Sequence, residues 1–124
     1  MADELRPADS RDLAGRTFLS TAVTERGMPR PMPAGSRVRL WFTADGRLVA
    51  GAGCNSIQGP VEVADGRLRM LEMRTTEMWC GEDLLAQDQW LASLLDARPS
   101  WQLAGPHLRV TTGQAVIELT EQPG

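Results

Sequence analysis

Two cysteines, one histidine and one asparagine are the rare residue types in this chain: Cys54, Cys80, His107 and Asn55. A thiol nucleophile needs a base, and imidazole is the usual one. His107 is the sole imidazole. It follows Gly105-Pro106, which reads as an exposed strand start, and nothing in the sequence brings it near either thiol. A zinc site needs about four ligands, and two Cys with one His at loose spacing do not supply them. Neither catalysis, a metal nor a cofactor is therefore expected. For the cysteines two alternatives stay open, a disulfide or two reduced thiols, and compartment decides between them.

Asn55 follows Gly53 and Cys54. Asn makes turns by adopting a left-handed conformation or by hydrogen-bonding its own backbone, and that is the role expected here. Asp88 is less ordinary. On a helical projection it falls inside the apolar stripe of Leu84, Leu91 and Leu95. A carboxylate there needs hydrogen-bond partners, which predicts a buried polar anchor receiving donors from a nearby loop. Among the four tryptophans, Trp101 alternates with Leu103 and reads as core. Trp41 shares a strand face with Arg37 and Arg39, Trp90 lies towards the polar side of the helix, and Trp79 precedes it. Surface tryptophans can mark an interaction patch or be covered by Arg side chains or by the N-terminal tail; Trp41, Trp79 and Trp90 are the candidates.

The elements that must position these residues are mostly strands. Thr17 to Val23 is rich in β-branched and apolar types. Residues 27–35 carry Pro29, Pro31 and Pro33, which forbid helix and interior strand and predict a loop. From Arg37 to Thr43, Val38, Leu40 and Phe42 alternate with polar neighbours at the period of a half-buried strand. The pentapeptide Ala44-Asp45-Gly46-Arg47-Leu48 returns letter for letter as Ala64-Asp65-Gly66-Arg67-Leu68. Asp-Gly between apolar runs is a strong hairpin signal, so two hairpins with alike turns are expected. Residues 101–103, 107–110 and 115–119 predict a three-strand meander. Glu82 to Ala97 lacks Gly and Pro, opens with Glu82-Asp83 and is stopped by Pro99, which predicts one helix. The fold class is mainly β: a small antiparallel barrel or sandwich of about eight strands packed against a single helix. Residues 1–12 read as a flexible tail and 13–120 as one domain.

At 124 residues the chain suits one domain, large enough to fold without a staple. Apolar content of 42% and charged content of 23% are ordinary for a globular protein. All 13 basic residues are Arg, they form no stripe, and net charge is −3. Nucleic-acid binding through phosphate neutralisation is not expected. No apolar run reaches the length of a membrane span. The N-terminal residues lack a basic n-region, an apolar h-region and a lipobox-like cysteine, which predicts a cytoplasmic protein, or an envelope protein if a signal has been removed.

Several of these residues together resemble the META domain family (HslJ-like), over about Leu13 to Leu119. The family's Leu-x-Gly-x-x-aromatic opening matches Leu13, Gly15 and Phe18. Its Gly-Cys-Asn turn matches Gly53, Cys54 and Asn55, and its following glycine matches Gly59. Its Thr-x-Met-x-Cys element matches Thr76, Met78 and Cys80. The chain departs from the family at Pro60-Val61, where relatives often have an aromatic, and at Trp79, where a small residue is usual. The resemblance implies a β-barrel-like domain with a packed helix, an association with heat or envelope stress, and no activity established for the family at large. It also brings Cys54 and Cys80 close together, as does the need to anchor the first helical turn. The function expected is a non-enzymatic, stress-associated module for an unknown protein partner, monomeric or weakly dimeric. The alternative is a small-ligand binder using the barrel interior or mouth.

Overall fold

Alternation of apolar and polar side chains runs through the strands and closes the sheet on itself. The computed structural model describes residues 10–123. Among them are a short helix α1 (Ser10–Leu13) and strands β1 (Thr17–Glu25), β2 (Met28–Pro29), β3 (Arg39–Phe42), β4 (Arg47–Gly51), β5 (Ser56–Ala64), β6 (Arg67–Met70) and β7 (Arg74–Thr75). Helix α2 (Glu82–Asp96) and strands β8 (Ser100–Ala104), β9 (His107–Thr112) and β10 (Ala115–Glu121) follow. Eight strands pair antiparallel in the order β1-β3-β4-β5-β6-β8-β9-β10, and β10 pairs back to β1 to close a barrel. β2 extends β1 and β7 extends β5. The seams are unequal. β1 and β10 pair from Phe18↔Glu121 to Glu25↔Ala115. β6 and β8 share the single pair Arg67↔Ser100, flanked by backbone bonds from Leu68 N to the Pro99 carbonyl and from Trp101 N to that of Gly66, both 2.9 Å.

The inward positions fill the barrel. Phe18, Leu40, Phe42, Leu48, Ile57, Leu68, Leu108, Ile117 and Leu119 are almost completely buried. The Phe18 and Phe42 rings meet edge to face at 6.1 Å. Leu91, Leu94 and Leu95 of α2 join the same cluster, as does Leu13 of α1. The meander, the Trp101 core position and the helix start at Glu82 lie where the alternation and the helix signals put them.

Three expectations need correction. The first twelve residues are not all tail: Ser10–Leu13 forms a helical turn that buries Leu13, and residues 1–9 lie outside the described part. The proline segment is more ordered than a loop. Met28–Pro29 adds an edge strand to β1, where Pro can sit without a ladder donor, and Pro33–Gly35 makes a 3-10 turn with Pro at its start. β5 begins at Ser56 and runs on through Gly59-Pro60. Its outer edge is shared by β7 along Ile57 and Gln58 and by β6 from Val61 onward, so Gly59 and Pro60 fall in the gap between the two partners. Finally, the repeated pentapeptide makes two different turns. Asp65 and Gly66 both take positive φ, 55° and 71°, in a two-residue hairpin loop. In the first copy Gly46 alone does, at 90°. There the Thr43 hydroxyl bonds the Asp45 carboxylate and accepts from Arg47 N at 3.0 Å, which holds Asp45 in a wider loop.

Gly59 has no room for a side chain. A Cβ there would lie 1.8 Å from the Glu72 carbonyl oxygen, a backbone atom. Gly59→Ala should lower stability by about 1–3 kcal/mol, the usual range for overpacking. Gly51→Ala, whose nearest new contact would be 3.6 Å, should change it little. Chemical denaturation of both variants checks this; equal midpoints would refute the steric account.

Candidate functional site

Helix α2 begins after Gly81, which has φ of 99° and offers no side-chain cap. Glu82 and Asp83 face the positive end of the helix dipole instead. One and a half turns later Asp88 lies in the apolar face, 3% exposed. Its Oδ2 accepts two hydrogen bonds, from the backbone N of Asn55 at 3.0 Å and from Asn55 Nδ2 at 3.1 Å. The carboxylate is thus the buried anchor expected from its place among the leucines, and its partner is the Gly-Cys-Asn turn.

Asn55 is buried as well, and its side chain is fully engaged. Nδ2 also donates to the Met78 carbonyl at 3.1 Å, and Oδ1 accepts from Thr76 Oγ1 at 2.8 Å and Met78 N at 2.7 Å. This corrects the turn reading: Asn55 is not left-handed, and its amide grips a distant segment rather than its own backbone. Gly53 takes the positive φ instead, at 132°. A Cβ there would meet Leu84 Cδ2 at 2.9 Å and Ser36 Cβ at 3.0 Å, so the turn is pressed directly onto the helix. Thr76 completes the join. Its hydroxyl accepts from Ser56 N at 3.0 Å, and its own N donates to the Ser56 carbonyl at 3.1 Å. Cys54 and Cys80 close the arrangement with a disulfide, Cα atoms 6.0 Å apart.

The residues singled out in sequence therefore divide. Gly53, Cys54, Asn55, Thr76, Met78, Cys80 and Asp88 converge, with Gly59 just beyond on β5. Asn55, Thr76, Met78 and Asp88 among them line a cleft of about 420 Å³ between residues 75–79 and α2, together with Trp79, Leu85 and Ala92. Met78 is 61% exposed and Trp79 71%. The other two candidate tryptophans do not line it. Trp41 sits on β3, 45% exposed. Trp90 is half-buried: the Arg30 guanidinium lies 4.2 Å from its ring centroid, and its Nε1 donates to Glu25 at 3.2 Å. Arg30 also pairs with Glu25 at 2.9 Å and donates to buried Gln87 at 3.2 Å. A cation over an indole face is a stabilising contact, so Trp90 serves to fasten the proline segment to the helix. The sequence allowed an Arg to cover a tryptophan but did not single out Arg30 or Glu25. The signal was faint: Gln87 and Trp90, three apart, share a helical face. His107 opens β9, exposed, opposite Ala104 and Thr120.

Removing Asp88 leaves two Asn55 donors without their acceptor. Asp88→Ala should cost about 1–3 kcal/mol, whereas exposed Asp96→Ala should sit within about 0.5 kcal/mol of the parent; matching melting transitions would contradict the anchor. The disulfide spans a sequence separation of 26, which corresponds to a chain-entropy contribution of about 3.5 kcal/mol at most. The Cys54→Ala/Cys80→Ala protein should stay folded on its barrel core with stability lowered by no more than that. The unreduced, denatured parent should titrate no free thiol, and two reactive thiols would show that the bridge does not form.

Three solved structures share the fold. One NMR structure has 16% identity and a TM-score of 0.71, covering 92% of this chain and 95% of that one. An NMR structure of a Burkholderia xenovorans protein has 17% identity and a TM-score of 0.70, covering 96% and 93%. A crystal structure of a DUF4847 family protein from Bacteroides vulgatus has 13% identity and a TM-score of 0.62, covering 90% and 95%. No curated protein shows significant similarity to the sequence. The sequence profile of the META domain matches residues 11–124, and the chain belongs to that family.

Proposed function

We propose that this META domain is a non-enzymatic interaction module that docks a protein partner at the cleft between residues 75–79 and α2. The observation that carries the reading is the pair Met78 and Trp79. Two large apolar side chains stand exposed side by side on a backbone fixed by Asn55 and the disulfide. Exposed aromatic and Met side chains are enriched at interfaces. A pre-ordered backbone lowers the entropic cost of binding through them. The packed barrel interior supports this reading over a ligand held in the lumen. The stress-associated role is carried over from the family resemblance. The Cys54–Cys80 bridge supports an oxidising setting such as the cell envelope, because such bonds rarely persist in the cytosol.

Affinity capture from native cells tests the proposal. Trp79→Ala should leave the melting temperature nearly unchanged, since its ring is mostly in solvent. It should weaken capture of the partner at least about tenfold, as loss of an interface hot spot does. Trp41→Ala should capture as the parent does. A partner retained equally by all three proteins would overturn the cleft as the docking surface.

A further inference from the structure

The floor of the cleft carries a chemical demand that the fold itself leaves unmet. Asp88 is 3% exposed, and both of its hydrogen bonds fall on Oδ2. Oδ1 has less than 1 Å² of accessible surface and no hydrogen-bond partner. A buried polar atom without a partner is uncommon and unfavourable, more so on a charged group. None of the ion pairs among the described residues involves Asp88. The cleft's other charged lining residue is Glu77, a second carboxylate, and no Arg lines it.

We infer that the cleft recognises a lysine side chain of the partner, its ammonium seated on Asp88 Oδ1 and its alkyl stem lying along Met78, Trp79 and Leu85. The inference rests on the cleft being a docking surface and adds the group it selects. Charge fixes the sign of the occupant, since two carboxylates and no cation line the space. Geometry then separates lysine from arginine. A guanidinium fork pairs best with both oxygens of a carboxylate, and here Oδ2 is already taken twice. A single free oxygen suits a point cation with rotatable donors. A metal ion is a poorer fit, because no group of three His, Cys, Asp or Glu among the described residues is placed to hold one. The apolar walls suit the stem: lysine buries its methylenes while directing the charge to a polar end, and the Trp79 ring adds a face for the cation. Oδ1 has almost no accessible surface, so the ammonium reaches it only when side chains of the cleft move aside. The side chains of Met78 and Trp79 are mostly in solvent.

The test is an NMR titration of the intact, oxidised protein with acetyl-Leu-Lys-Leu-amide and with the same peptide carrying norleucine in place of lysine. The lysine peptide should shift the Trp79 indole N–H and the Asn55 side-chain amide, and bind about tenfold more tightly than the norleucine peptide. Asp88→Asn, which can still accept from Asn55, should abolish that preference. The comparison of the two peptides on the unaltered protein stands even if this variant does not fold. Equal binding of the peptides would overturn the lysine site while leaving an apolar docking cleft, provided that partner capture still depends on Trp79. Failure of both peptides to shift either reporter, as for a carboxylate satisfied by a retained water, would overturn it too. Free n-hexylammonium binding as tightly as the lysine peptide would overturn the assignment to a partner side chain in favour of a small amine.

Discussion

The helix is held to the barrel by a carboxylate that cannot be satisfied from within its own element. Asp88 sits where a leucine would serve the packing, and its charge is met by two N–H groups of Asn55. The same asparagine bonds Thr76 and both backbone groups of Met78. Three stretches remote in sequence thus meet on one side chain. A small polar network of this kind is tolerable in a core only when nearly every member is paired. Asn55 meets that condition completely and Asp88 by half.

The consequence is a division of labour within one small domain. The barrel interior is filled by side chains. The stretch between β7 and α2 has no sheet pairing of its own. It is ordered by the asparagine, the threonine and the disulfide, yet it leaves Met78 and Trp79 in solvent. Ordered backbone beneath exposed, apolar side chains is the combination that makes a surface adhesive without making it unstable. Trp90, by contrast, is occupied by Arg30 and Glu25 and contributes to cohesion of the fold.

Local periodicity made much of this visible in advance. The alternation of Val38, Leu40 and Phe42, the helix from Glu82 and the C-terminal meander are nearest-neighbour patterns, and such patterns are written in the sequence. The place of Asp88 in a leucine stripe was legible for the same reason. Its partner was not, because residues 55, 76, 78 and 88 meet only through tertiary contacts. The role of Gly59 was hidden similarly: it depends on Glu72 folding back across β5. Identical pentapeptides at residues 44–48 and 64–68 turn differently because Thr43 stands before one and Val63 before the other. A residue outside the repeat decides the conformation within it.

The seam between β6 and β8 has a meaning beyond topology. Every other junction of the barrel is a ladder of several rungs, whereas this one is a single rung with a backbone bond on either side. A ring of strands is only as closed as its shortest ladder. The chain between those two strands is the segment that carries β7, the disulfide and α2, so the element bridging the opening is also the one that Asn55 holds down. Amide protons beside this junction have little ladder to guard them, and the helix packs against β6 there, so their exchange with solvent should report on helix attachment. In mechanical terms the helix is the latch of the barrel, and the asparagine is its catch.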